Sequence, residues 1–318
     1  MSSIAVLVPT LRRPDDLRRC LDALRRQHSR PDRVLVVRQP SDGETRAVLT
    51  QESELPVQEV LVHEPGQVAA LNAGLEQAQE DIVAITDDDT TPWPTWIERI
   101  RSHFDREPEV GAVGGRDWLY RDGTLLDGSK SSIGQVSWYG RFIAFHHLGR
   151  GPAREVDFLK GANMSYRRVA IDSLSVDTGL KGRGVEYNND FALSLAVKQR
   201  GWKVVYDPEV ALDHYEARRV ESQGRIKGGR RSDADRAVAA GKAFNESYIA
   251  VKYLPLTRAL VHLVFALAVG TGQAPGVGIA TLRMGRIGGA GAAMAELRSN
   301  VPARLAGAWA GAKARLRT

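Results

Sequence analysis

Residues 81–94 read DIVAITDDDTTPWP, a short β-branched apolar run followed at once by Asp87, Asp88 and Asp89. The run DIVAIT (81–86) has the pattern of a strand buried on both faces. Adjacent carboxylates repel, and at a strand end they cannot spread apart as they would along a helix. A divalent cation bridging to a phosphate-bearing ligand would offset that cost. Mg2+ and Mn2+ take oxygen ligands, commonly one or two carboxylates completed by phosphate and water. Residues i and i+2 of an extended end share a face, so Asp87 and Asp89 can grip one ion. Asp88 is then left for a ribose hydroxyl, with an Asp88/Asp89 metal pair as the alternative. The plainer reading is an acidic turn capping a helix that begins near Trp93, with Pro92 and Pro94 in its first turn. This stretch alone does not separate the two.

Outward from it, the same kind of strand recurs. IAVLV (4–8), RVLVV (33–37) and VQEVLV (57–62) alternate with the helical patterns LRRCLDALRRQ (17–27), TRAVLTQE (45–52) and QVAALNAGLEQAQ (67–79). Short strands that are apolar nearly throughout require helices on both faces of a sheet. Residues 1 to about 115 are therefore expected to form a doubly wound, mostly parallel α/β half-domain. Ligands of such sheets bind at the carboxyl ends of strands, where Pro9-Thr10, Arg38-Gln39 and the aspartates all fall. Residues 117–155 break this pattern and read as irregular hairpins and loops. VDFLKGANMSYRR (156–168) gives a strand and turn. A glycine-rich loop then leads to the helix DFALSLAVKQRGW (190–202), the strand KVVYDPE (203–209) and, after a turn, His214.

The 318 residues suffice for one generous core and a C-terminal appendage, and 43% apolar with 26% charged residues is a soluble, globular balance. A net charge of +6 is too small to imply nucleic-acid binding by itself and suits a phosphate-bearing partner. The single cysteine, Cys20, excludes an internal disulfide and lies at helical spacing among Leu17, Leu21 and Leu24, as a core residue would. The opening MSSIAVLVPT lacks a signal-peptide pattern. ALVHLVFALAV (259–269) is shorter than the roughly 20 residues a spanning helix needs. The chain is thus expected to be cytoplasmic.

Residues 218–231 hold six basic side chains and one acid. Arg225 and Lys227 either close over phosphates or sit on a solvated loop. Residues 281–318 hold seven basic side chains and one acid. In ARLAGAWAGAKARLRT (303–318), Leu305, Trp309, Ala312 and Leu316 share a helical face flanked by Arg304, Lys313 and Arg315. Such a face suits the inner surface of an anionic bilayer; a helix packed on the protein's own core, or a homo-oligomer contact, would look the same.

Asp190 opens its helix as a first-turn charge or as a general base facing a cleft. His214 is a lone histidine, and GANMSY (161–166) offers small residues and the amide of Asn163. Taken in order, these segments resemble the family-2 glycosyltransferases, which carry the GT-A fold. The resemblance runs from about Ile4 to His214 and more weakly to Leu254. Pro9-Thr10-Leu11-Arg12-Arg13-Pro14 resembles the family's first strand end, and ALNAGL (70–75) its segment beside the nucleotide. Asp87-Asp88-Asp89 matches its DxD motif and GANMSYRR its donor- and acceptor-lining turn. Asn189-Asp190 matches its Glu-Asp motif, and YDPEVALDH (206–214) the stretch ending in a metal-ligating histidine.

The resemblance implies a metal-dependent, inverting sugar transfer from a nucleotide-sugar donor to a carbohydrate or lipid-linked acceptor. Asp190 would be the base, and Asp87, Asp89 and His214 would hold Mn2+ or Mg2+. Pro9, Thr10, Arg13, Asp42, Gln67, Asn72, Asp87 and Asp88 would line the nucleotide, and Gly161, Asn163, Arg225 and Lys227 the donor or acceptor. Residues 1–215 would form the catalytic domain, with 1–115 its nucleotide half and 116–215 its acceptor half. Residues 216–254 would add a basic loop and helix, and 255–318 a basic helical region. Two departures stand out: Arg38 and Gln39 replace the acids that usually read the base, leaving Asp42 to substitute, and Asn189 replaces the usual Glu, leaving Glu186 as a rival base. A nucleotidyl- or phosphotransferase would want a phosphate-cradling glycine loop after the first strand, which VPTLRRPD lacks. A non-catalytic membrane-surface scaffold would show no metal-dependent nucleotide affinity.

Overall fold

The apolar runs at 4–8, 33–37 and 81–86 lie inside one large sheet, and the run at 57–62 forms its edge. The computed structural model describes residues 1–182, 184–216, 233–284 and 289–317. The chain divides into two compact units, one of residues 1–135, 143–178 and 189–217, the other of 136–142, 179–188 and 218–318.

The first stretch runs β1 (Ile4–Pro9), α1 (Pro14–Arg25), β2 (Arg33–Arg38), α2 (Gly43–Gln51), β3 (Val57–Leu61), α3 (Gln67–Gln77) and β4 (Ile82–Thr86). It continues through β5 (Thr90–Pro92), α4 (Trp96–Arg106), β6 (Val110–Arg121), β7 (Thr124–Leu125), β8 (Gln135–Val136) and β9 (Phe142–Ile143). After a 3-10 turn at His146–Leu148 come β10 (Arg154–Glu155), β11 (Asn163–Arg167), α5 (Arg168–Ile171), α6 (Asn189–Gln199) and β12 (Lys203–Tyr215). The main sheet is ordered β10-β12-β6-β11-β4-β1-β2-β3. The pairs β1–β2, β2–β3, β1–β4 and β6–β12 are parallel, and β11 runs antiparallel between β4 and β6.

Strand alternation fills two apolar layers. Ile4, Val6 and Val8 of β1 pack with Leu17, Leu21 and Leu24 of α1 and with Trp96, Ile100 and Phe104 of α4. Ala5 and Leu7 pack on the opposite face with Val68 and Leu71 of α3 and with Leu193 and Val197 of α6. Full burial of each such Leu or Val stabilises the fold by about 1.5–3 kcal/mol. Cys20 is fully buried within the first layer.

Three expectations change. The helix begins three residues after Trp93: Thr90–Pro92 pairs as a strand with β12, and α4 starts at Trp96. Pairing with a distant strand outweighs the local helix-capping signal. Residues 117–121 are not irregular, because β6 continues through them with Asp117 and Leu119 buried and Trp118 and Tyr120 half-buried. A buried aspartate disguised that alternation. His214 lies within β12, with no turn before it; the strand passes Pro208 by an irregularity between Asp207 and Leu212.

The second unit contains α7 (Asp233–Tyr253), α8 (Leu256–Ala268), α9 (Val277–Met284) and α10 (Gly289–Arg315). α10 lies close to α7: a Cβ on Gly307 would stand 2.2 Å from the Phe244 carbonyl oxygen. Arg304 does not flank an outer face as the sequence suggests. It is 1% exposed and donates to the Ala274 and Pro275 carbonyls. Arg315 likewise donates to the Val251 and Leu254 carbonyls, at 3.0 and 2.7 Å. Leu305, Trp309 and Leu316 are exposed, and the Lys313 ammonium lies 4.9 Å from the Trp309 ring centre. Among the described residues, no helix is long and apolar enough to cross a membrane.

Candidate active site

β4 delivers the aspartates at its carboxyl end, and β5 turns them toward β12. Thr90 pairs in register with His214, and the Tyr215 amide donates to the Asp89 carbonyl at 2.9 Å. The Thr90 hydroxyl closes the turn on the Asp87 carbonyl at 2.8 Å. The result is that Asp87, Asp89 and His214, from distant parts of the chain, each offer a ligand atom within 4.8 Å of the others. Two carboxylates and one imidazole fit a divalent cation, the oxygens suiting Mg2+ and Mn2+ and the imidazole favouring the transition metal.

Asp88 stands outside that group of three. It is fully buried and paired with Arg13 at 3.0 Å, and the same guanidinium reaches Asp89 at 3.2 Å. Burial drives the Asp88 carboxyl up to about 7 against the pull of Arg13. Arg13 follows a strained turn: Arg12 sits in the left-handed region at φ 53°, and its amide donates to Asp42 at 2.6 Å. Asp42 also accepts from the Thr45 amide and hydroxyl, at 3.1 and 2.7 Å, as N-cap of α2. Buried in this way, its carboxylate shapes the Pro9–Pro14 turn.

His214 is held from behind. Its Nε2 lies 3.4 Å from Asp89 and its Nδ1 3.4 Å from Asp117. Burial works against its charge, but Asp117 and Asp89 prevail and raise it to about 9. Asp117 is fully buried and also ion-pairs with Lys160. Burial alone would raise the Asp117 carboxyl; Lys160 and His214 overcome it and hold the group below the usual carboxylate range.

Asp190 opens α6 and accepts from the Gly161 amide at 2.9 Å and from its neighbour's amide, Phe191, at 3.0 Å. Burial pushes its carboxyl up to about 6, against these amides. Two consecutive residues thus join two acid groups: the Lys160 side chain meets Asp117, and the Gly161 backbone meets Asp190. Glu186, the rival base, belongs to the other compact unit.

The remaining expected residues divide. Pro9 ends β1, and Thr10, largely buried, donates its amide to the Val37 carbonyl at 2.9 Å. Gln67 begins α3 and accepts from the Asn189 side chain at 3.4 Å. Asn72 exchanges two hydrogen bonds with the Val176 backbone, at 3.0 and 2.7 Å, and so pins a loop. Asn163 does not line a cleft: fully enclosed, its side-chain amide accepts from the Trp96 indole at 2.9 Å and donates to the Val210 carbonyl at 2.7 Å. A buried amide of this kind must satisfy its own polar atoms first. Arg225 and Lys227 lie outside the described residues. Asp117 and Lys160 were not expected. The period-2 burial of Asp117 and Leu119 was the signal for Asp117, masked by an acid at a core position, and no local pattern marked Lys160.

Compared with known proteins, residues 2–232 match the family described as "Glycosyltransferase like family 2". A glucosyl-dolichyl phosphate glucuronosyltransferase of Haloferax volcanii is 27% identical over 149 residues, 44% of this chain and 45% of that protein. The O-antigen biosynthesis protein RfbC of Myxococcus xanthus is 27% identical over 228 residues, 67% of this chain and 17% of that protein. The chain therefore spans less than half the length of these curated relatives. Among solved structures, a mannosyltransferase of Pyrobaculum calidifontis in complex with GDP-Man and Mn2+ superposes with a TM-score of 0.54 at 17% identity, covering 99% of this chain and 87% of that one. S. aureus TarS in complex with UDP-GlcNAc gives a TM-score of 0.51 at 15% identity, over 79% and 71% of the two chains. Both likenesses bear on the fold.

Proposed function

Because the chain belongs to family 2 of the glycosyltransferases, we propose that it transfers a sugar from a nucleoside diphosphate donor to a hydroxyl acceptor with inversion at the anomeric carbon. The observation that carries this reading is the pairing of a cation-competent cluster, Asp87, Asp89 and His214, with a separate, half-buried carboxylate, Asp190. A divalent ion on the cluster would neutralise the charge that develops on the departing diphosphate. Asp190 takes the proton of the acceptor hydroxyl as that oxygen attacks from the face opposite the diphosphate, as the carboxylate base does in inverting glycoside hydrolysis. Its raised carboxyl makes it a stronger base than an exposed aspartate. The Gly161 and Phe191 amides hold its orientation. Lys160, ion-paired with Asp117, also draws on Asp190 and favours its charged form against burial.

The acceptor in this reading is a lipid-linked or cell-envelope saccharide, met by a protein lying on the inner face of the membrane. The curated relatives named for dolichyl phosphate and O-antigen chemistry support it. Arg225 and Lys227 remain candidates to close over the donor phosphates. The test is a panel of nucleoside diphosphate sugars supplied with Mn2+ or Mg2+ and simple glycoside acceptors, with product anomers read by NMR. Expected is ion-dependent transfer with inverted configuration from one donor. Metal-dependent nucleotidyl transfer with no glycoside formed would overturn the proposal.

A further inference from the structure

The strands that carry the metal cluster present a second face. β5, β6 and β12 pair with Thr91 beside Asp213, Asp213 beside Trp118 and Tyr215 beside Tyr120. Side chains alternate across a sheet. Thr90, Asp117, Leu119 and His214 are therefore buried on one side, and Thr91, Trp93, Trp118, Tyr120, Asp213 and Tyr215, all half-buried or exposed, share the other. Every one of these residues belongs to the first compact unit. The Trp93 and Trp118 rings stack at 5.9 Å and 12°, and the Tyr120 and Tyr215 rings at 4.9 Å and 19°. Trp118 and Tyr120 are two residues apart on β6, so at about 3.3 Å per residue the stacks are spaced by about 7 Å along the strand. Trp93 and Tyr215 are the open members, 39% and 38% exposed.

The polar groups on this face select the ligand. Asp213 lies among the rings: its Oδ1 accepts from the Trp93 indole at 3.3 Å, and its Oδ2 has no partner among the described residues. The Tyr120 and Tyr215 hydroxyls likewise have none there. Aromatic rings with a few placed polar atoms are what a small ligand site presents. A pyranose matches both parts. Its weakly positive C–H face packs on the negative face of an indole or phenol, and its hydroxyls donate to a carboxylate and exchange with phenolic hydroxyls. Other occupants fit less well. The Arg116 and Arg19 guanidiniums lie over Trp118 and Tyr215, at 3.5 and 5.3 Å. Both are already ion-paired, with Asp127 and Asp16, so neither is spare for a lipid phosphate. A second copy packed here about a two-fold axis would bring two Asp213 carboxylates together and shut both from water.

We propose that the aromatic face of β5, β6 and β12 binds a pyranose-containing glycan, with Trp93 and Tyr215 as stacking platforms and Asp213 accepting from its hydroxyls. This rests on the saccharide acceptor proposed above, and adds a contact with it on the side of the sheet opposite the metal cluster. The test uses the full chain without Mn2+ or nucleotide. A panel of neutral oligosaccharides of glucose, mannose, galactose and N-acetylglucosamine is titrated, with binding read by saturation-transfer NMR and indole fluorescence. Expected is binding to at least one of them, weakened about tenfold by Trp93→Ala, reduced by Asp213→Asn and largely kept by Trp93→Phe. Mn2+ affinity of each variant should match wild type, which shows an intact fold. Because neither donor nor ion is present, failure here is distinguishable from failure of sugar transfer. The proposal is overturned if no oligosaccharide of the panel binds, or if Trp93→Ala binds as well as wild type. It is equally overturned if Trp93→Ala weakens binding of nucleosides alone, or if its only effect is conversion of an oligomer to a monomer.

Discussion

Asp190 is half-buried and Asp117 fully buried, and their environments move them in opposite directions. Burial raises Asp190 to about 6, whereas Lys160 and His214 keep Asp117 ionised. A base must be deprotonated to accept, so turnover should fall as pH drops through about 6 and level off above it. Asp190→Asn should lower turnover by about 10²–10⁴ and abolish that limb, as read from kcat against pH. Should Asp190→Asn keep full turnover while Glu186→Gln abolishes it, the base is Glu186. Asp117 serves His214, fixing the ring so that Nε2 faces the aspartates. Partners of this kind typically contribute about 10–100-fold in metal affinity. Asp117→Asn should therefore weaken Mn2+ binding by about that factor, measured by paramagnetic resonance of free Mn2+.

At the scale of elements, the meeting of β6 and β12 decides where His214 stands. The irregularity in β12 brings the Val210 carbonyl against β6, and irregularities of this kind re-aim side chains beside active sites. Gly115 makes room: a Cβ there would lie 1.8 Å from the Val210 oxygen and 2.5 Å from the Asp207 oxygen. Both are backbone atoms and cannot swing aside. Gly115→Ala should cost about 1–3 kcal/mol of stability, seen as a lower Tm, and should weaken Mn2+ binding by displacing His214. Gly43→Ala, where nothing lies within 4 Å of the added carbon, is the control and should leave both measurements nearly unchanged.

At the scale of the whole molecule, the cluster makes the fold responsive to its ion. A ligand that binds only the folded state adds about 2.7 kcal/mol at roughly a hundred times its Kd. Mn2+ should raise the Tm of the wild-type chain in a concentration-dependent way. Asp89→Ala should remove the effect. A wild-type Tm indifferent to Mn2+ would count against the cluster as a metal site.

The first, second and fourth strands were legible because burial on both faces leaves an unbroken apolar run, a signal contained within each segment; β3, at the sheet edge, is partly exposed and its run is broken by Gln58 and Glu59. The aspartate run was legible too, since three adjacent acids at a strand end need a stated reason. The roles of Asp42, Asp88, Asn163 and Arg304 were not legible, because a polar residue reads alike whether it meets solvent, ligand or a buried partner. Asp117 and Lys160 stayed hidden for the same reason. Only the tertiary pairing of β5 and β6 with β12 brings Asp87, Asp89, Asp117 and His214 together. Sequence determines what each segment can bury; which distant polar groups then face one another depends on register between strands, and no local pattern records that.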